Sequence, residues 1–157
     1  MKKIQFHVLL LFVLPSLFGC AERSNLDVTS VTGTVTVDGQ PMEDIRIIFH
    51  PVGGGEIAAF GSTDAQGRYQ LSSPSAPVGS GAVAGEYIPT FSKVEVEERP
   101  PASSPEEEYR LYGGVPPKIT HHIPEKYGDV TTCGIAPVKV EKGKKNHFDF
   151  ELIKSAL

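Results

Sequence analysis

The segment Ser30–Pro51, SVTGTVTVDGQPMEDIRIIFHP, decides the fold class. Val31, Gly33, Val35 and Val37 fall on one side of an extended chain, and Thr32, Thr34 and Thr36 on the other. After Asp38-Gly39-Gln40-Pro41, Ile45, Ile47 and Phe49 alternate with Arg46, Ile48 and His50. Alternation with a period of two, rich in β-branched and aromatic residues and interrupted by Asp-Gly and Pro, predicts strand, turn, strand. The two strands are expected to form the first hairpin-like pair of a larger β structure.

Downstream the same grammar recurs. Strands are expected at Ile57–Thr63, Tyr69–Ser72, Glu86–Val96, Ala136–Glu141 and His147–Ile153, which with the opening pair makes about seven. Between Thr63 and Tyr69, Asp64 can accept from the backbone two residues on and Gly67 can take positive φ, so both belong to a turn. Pro89 interrupts Glu86–Val96 and predicts an edge or a bulge, because proline brings no amide to a ladder. In the last strand Phe148, Phe150 and Leu152 are expected inward, Asp149 and Glu151 outward. From 97 to 130 the alternation is lost, with Glu97, Glu98, Glu106, Glu107 and Glu108 set among Pro100, Pro101, Pro105, Pro116 and Pro117. A long surface loop is expected there, with Tyr127 packed beneath it; long connections of this kind are often functional. No helix is expected after residue 19. The fold class is therefore all-β, an antiparallel β-sandwich over residues 30–153 followed by a short tail at 154–157.

The N-terminus carries an address. Lys2 and Lys3 precede an apolar run from Ile4 to Phe18, too short to span a bilayer comfortably and laid out as a secretory signal. It closes in Leu17-Phe18-Gly19-Cys20, which resembles the lipobox of bacterial lipoproteins. That resemblance implies a diacylglycerol on the Cys20 sulfur, cleavage before it and acylation of the new amine. Several acyl chains hold a protein on a membrane where one binds only marginally. Residues 1–19 are then a signal peptide and 20–29 a lipidated tether. Ala21 after the lipidated Cys implies, by the sorting rule of proteobacterial lipoproteins, the outer membrane.

Composition narrows the partners. The chain has 157 residues, one domain's length, with 16 Gly, 13 Pro and no Trp. Loss of Lys2 and Lys3 takes the net charge from −4 to about −6, which argues against nucleic acid as a partner. Of the two cysteines, lipidation of Cys20 leaves Cys133 without a partner in the chain, so no internal disulfide is expected.

Four segments in order, Val31–Val35 with Asp38-Gly39-Gln40-Pro41, Ile47–Pro51, Thr63–Tyr69 and Gly85-Glu86-Tyr87, resemble the carboxypeptidase regulatory-like domain, a transthyretin-like Greek-key sandwich. Ile123–Asp129 and Phe148–Leu152 resemble, more narrowly, small secreted lipoproteins of planctomycete bacteria. The resemblance spans the mature chain and implies a sandwich at the cell surface, with no catalytic residues to carry over. Pro89 and Cys133 depart from the family's pattern without threatening the fold.

Candidate chemistry is sparse. His122 and Glu125 have a His-x-x-Glu spacing similar to the zinc pair of metallocarboxypeptidases. A catalytic zinc needs a third ligand and an open position, and there is no room for a peptidase domain. A non-catalytic metal site from His121, His122 and Glu125, with His50 as a further ligand, is the weaker alternative, since adjacent side chains on an extended chain point opposite ways. The chain lacks the C-terminal Tyr-Arg-Gly-Ser of the transthyretin-like purine hydrolase and any Gly-x-Ser-x-Gly elbow. No enzyme activity, cofactor or metal is expected. The expected partners are membrane lipid, through Cys20, and an envelope protein or glycan. A carbohydrate- or metal-binding module using the 97–130 stretch, with Tyr109, Tyr112 and Tyr127 available for stacking, is the alternative.

Overall fold

The computed structural model describes residues 26–53, 57–74 and 76–154. In chain order the strands are β1 (Val28–Thr29), β2 (Val31–Val37), β3 (Gln40–Pro41), β4 (Arg46–Pro51), β5 (Ala59–Ser62), β6 (Arg68–Gln70), β7 (Ala82–Val83), β8 (Gly85–Ser92) and β9 (Val94–Val96). A helix, α1 (Pro105–Tyr112), and β10 (Ile119–His121) follow, then a 3-10 turn at Glu125–Gly128, β11 (Val138–Val140), β12 (Asn146–His147) and β13 (Phe150–Leu152). Every run expected to be a strand contains one. The protein is mostly β, with one α-helix among the described residues.

Two sheets carry the body. One has the order β11-β8-β4-β5 and is antiparallel throughout. The other is built around β2. On one side of β2, β6 pairs antiparallel with Thr32–Thr34 and β3 with Thr36–Val37; on the other, β12 and β13 run parallel to it. Parallel neighbours cannot be joined by a tight turn. Here β2 comes near the start of the described chain and β13 near its end, so nearly everything between them serves as the connection. The expectation of antiparallel strands alone is corrected by this pairing.

The opening segment also does something other than form a hairpin of two long strands. Asp38 (φ 51°) and Gly39 (φ 74°) turn the chain tightly, and only Gln40–Pro41 fold back on β2. Met42–Asp44 then carry the chain into the other sheet, where β4 pairs with β5 and β8. Buried Thr63 fastens the crossing: its hydroxyl donates to the Met42 carbonyl (2.6 Å) and accepts from the Ile45 amide (2.9 Å).

Alternation places the core. Val31, Val35 and Val37 of β2, Ile45, Ile47 and Phe49 around β4, Tyr69, Tyr87, Phe91 and Leu152 are buried in one cluster drawing on both sheets. Phe150 bridges them, its ring 5.0 Å from that of Phe91, 6.3 Å from Phe49 and 6.4 Å from Tyr69. Such pairs add roughly 0.5–1.5 kcal/mol each beyond burial. Pro89 lies buried within β8 opposite Phe49, where β11, which pairs only with Gly85–Tyr87, no longer needs an amide. At the N-terminal side, Val28–Thr29, expected to end the tether, pair with Ala82–Val83 as part of the fold.

Gly33 is the tightest point. A Cβ there would stand 1.8 Å from the Phe148 carbonyl oxygen and 2.9 Å from the Tyr69 ring. The Tyr69 hydroxyl donates to that same carbonyl (2.8 Å). We predict that Gly33→Ala lowers unfolding free energy in urea by about 3 kcal/mol or more, because the clash is with backbone and strand and core must both shift. Gly128→Ala, where the nearest atom would be 3.9 Å away, serves as the control and costs under about 1 kcal/mol.

Candidate functional site

Most of the 97–130 stretch, expected to be a loop, folds together with Val94–Val96 as an arm over residues 94–121, while Ile123 and Tyr127 beyond it are buried in the core. β9 and β10 pair antiparallel with Val96 opposite Ile119 and Val94 opposite His121. The Glu97 amide donates to the Lys118 carbonyl (2.8 Å) and the His122 amide to that of Lys93 (2.9 Å), extending the ribbon at both ends. α1 occupies the tip. Ser104, in extended backbone, caps it by accepting from the Glu107 amide (3.2 Å), Pro105 sits in its first turn, and Gly113 (φ 62°) ends it with its amide on the Tyr109 carbonyl (2.7 Å). The acidic first turn of Glu106, Glu107 and Glu108 suits the positive end of the helix dipole.

An isolated two-stranded ribbon is marginal in water, so the arm's order needs another source. Arg99 supplies it. Its guanidinium donates to Glu97 Oε2 (2.8 and 3.2 Å), to the Val115 carbonyl (2.6 Å) and to the Pro116 carbonyl (3.0 Å), and lies 4.8 Å from the centre of the Tyr112 ring. The Tyr112 hydroxyl donates to the Pro100 carbonyl (2.8 Å). Glu97 also accepts from the Lys118 amide (3.0 Å); that bond, followed by those from Arg99, holds its carboxyl below the usual carboxylate range. One arginine thus ties both strands of the ribbon to the tip.

Nothing in α1 is buried, nor any side chain of β9 or β10. Val94, Val96, Tyr109, Leu111, Val115 and Ile119 make up half of the twelve exposed large apolar side chains among the described residues. Beside the helix an open groove of about 240 Å³ is lined by Pro105, Glu108, Tyr109, Val115, Pro116 and Pro117, among others.

The metal candidates divide. His121 Nε2 lies 3.1 Å from Glu125 Oε1, and His122 Nε2 lies 3.1 Å from Glu95 Oε2. The two imidazoles thus face different carboxylates. His50 is elsewhere, its Nε2 2.9 Å from the Thr90 hydroxyl. Among the described residues no group of three or more His, Cys, Asp or Glu is placed to hold a metal ion. Tyr127 is buried under the arm's base and accepts from the Ile153 amide (3.1 Å). Cys133 is buried and free, its thiol 3.7 Å from the Val130 carbonyl. Cys20 lies outside the described residues.

A second, more open groove of about 420 Å³ lies over the solvent face of β2 and β6, lined by Thr32, Thr34, Asp64, Arg68, Gln70 and His147 among others. His147 stands between the Thr32 hydroxyl (Nδ1, 3.3 Å) and Asp149 Oδ1 (Nε2, 3.2 Å). A hydroxyl, imidazole and carboxylate in series resemble the parts of a nucleophilic site. Asp149 Oδ1, however, already accepts from the Thr34 amide (2.8 Å) and hydroxyl (2.6 Å). These bonds tie the C-terminal segment to β2 beside the close approach at Gly33, which is a fastening role.

No family model and no curated protein matches the chain. Among solved structures, a 9R-lipoxygenase from Cyanothece is similar over 81% of this chain and 16% of its own, at 14% identity and a TM-score of 0.34. The chain thus spans about a sixth of that protein, and the likeness is too low to bear on fold or activity. No helix among the described residues is long and apolar enough to cross a membrane.

Two outcomes follow from this geometry. Hydrogen bonding from Thr34 lowers the Asp149 pKa in the folded protein, so its contribution is present above the unfolded value near about 3.9 and lost as pH falls through the folded one. Wild type therefore loses more stability than Asp149→Asn as the pH falls from about 5 to 2, measured by urea unfolding at each pH. In calorimetric titration with Zn²⁺, the split of His121 and His122 between two carboxylates predicts no binding tighter than about micromolar.

Proposed function

We propose that this chain is an exported, lipid-anchored, non-enzymatic binding module of the cell envelope, a Greek-key β-sandwich of the carboxypeptidase regulatory-like type that engages its partner through the arm. The arm carries the reading. It is ordered by polar bonds centred on Arg99, buries no helical side chain, and presents Tyr109, Leu111, Val115, Val94, Val96 and Ile119 to solvent. Apolar patches on an ordered surface mark interaction sites, and a pre-ordered element loses little entropy on docking. The anchoring half rests on Lys2-Lys3, the apolar run and Leu17-Phe18-Gly19-Cys20, and Ala21 favours the outer membrane.

The alternative partner is a glycan. Tyr109, 70% exposed, offers a flat ring on which a sugar can stack.

Anchor and arm are tested separately. Cys20→Ala should move the protein from the membrane to the soluble fraction; unchanged membrane association would defeat the lipid anchor. Replacing residues 100–116 by a short Gly-Ser turn should leave the thermal midpoint within a few degrees. It should also abolish crosslinking to the envelope component that wild type captures. Equal capture by the shortened chain would remove the arm from function, and a glycan array identifies the sugar alternative.

A further inference from the structure

We propose that the groove at the arm's tip is an anchor site for an arginine side chain on an extended segment of a protein partner, an inference that rests on the arm being the binding element. The walls are apolar: Pro105, Val115, Pro116 and Pro117. On them stands Tyr109, whose ring backs onto Gly114, where a Cβ would lie 3.4 Å from it. The tyrosine is exposed yet supported, the condition of an interface aromatic.

Glu108 selects the occupant. It lines the same groove, and no cation among the described residues pairs with it. Arg110 reaches Glu107 at 3.5 Å, and Arg99 is committed to Glu97 and Tyr112. A partner that covers these apolar walls strips water from the Glu108 carboxylate. Burial of an unpaired carboxylate is strongly unfavourable, so a fitting partner brings its own cation. A planar guanidinium can stack on the tyrosine and bond the carboxylate at once, which a lysine ammonium does less well. The arm already contains this arrangement in Arg99, stacked on Tyr112 and bonded to Glu97. Glu98 and Glu106, also without an ion pair among the described residues, add to the field that favours a basic partner. The volume, about 240 Å³, is below the usual range for drug-sized ligands and suits one side chain. An extended backbone laid along the prolines would carry it.

The test is selection of a displayed random heptapeptide library on the full chain, immobilised from detergent, followed by affinity measurement with the enriched peptides. Arginine-bearing peptides are expected to dominate. Tyr109→Ala and Glu108→Gln should each weaken them by about tenfold. Tyr109→Phe should bind nearly as wild type, and all three should keep the wild-type thermal midpoint, since both side chains are exposed. Replacing the peptide's arginine by lysine should cost several-fold, and by glutamate should remove binding. Enrichment of peptides without arginine whose binding still depends on Tyr109 overturns the arginine site and leaves the arm as a binding element. Absence of any peptide whose binding depends on Tyr109 likewise overturns the arginine site, whereas the arm itself is overturned only by equal capture of the envelope component when residues 100–116 are replaced.

Discussion

The approach of the Phe148 carbonyl to Gly33 is the contact on which the described chain closes. It brings the C-terminal strands beside β2 in parallel, with Phe148 donating its amide to the Thr32 carbonyl (3.0 Å) and receiving the Tyr69 hydroxyl on its own carbonyl. Asp149 then reaches across to Thr34. Because β12 and β13 are set here, Phe148 and Phe150 can turn inward against Phe49 and Phe91. The aromatic centre joining the two sheets therefore depends on a residue with no side chain. Any side chain at position 33 would push the last strand off the first.

That closure leaves the arm free of structural duty. The body buries its apolar side chains through the alternation of β2, β4, β8 and β13, whereas the arm has no such interior. Its order comes from directional bonds to carbonyls and carboxylates, most of them exposed, and such bonds contribute modestly one by one. Concentrating four of them and a ring on Arg99 makes the arm a unit whose shape is set locally. An element held this way keeps its apolar side chains facing outward because no core competes for them.

Much of the body was legible in the sequence. The alternation in Val31–Val37 and Ile45–His50 is a local consequence of one buried face, and the expected faces are those observed, as are the inward Phe148, Phe150 and Leu152. Pairing partners were not legible. Whether Val35 lies beside Ile47 or beside Phe150 depends on long-range closure, and alternation is the same in parallel and antiparallel neighbours. The helix was missed for another reason: at eight residues with no buried face it has no apolar stripe. Its punctuation was nevertheless present, in Ser104-Pro105-Glu106-Glu107 at one end and Gly113 at the other. The role of Arg99 had no sequence signal, since carbonyls 16 and 17 residues away are brought to it only by the ribbon's register. His121 and His122 lie beside different carboxylates, Glu125 and Glu95, a pairing that depends on the ribbon's register and the turn after it and has no signal in the sequence.

The claim that first and last strands form one closed unit, with the arm outside it, is tested most directly by native-state hydrogen exchange. The amides of Val35, Leu71 and Phe148, which bond the Gly67, Val31 and Thr32 carbonyls, should exchange in the slowest class together, through global unfolding. Those of Glu97, Gly113 and His122 should be protected but open at lower free energy. If Phe148 instead exchanges with the arm while Val35 and Leu71 stay protected, the C-terminal strands are a separate, weaker unit and the account of closure at Gly33 is wrong.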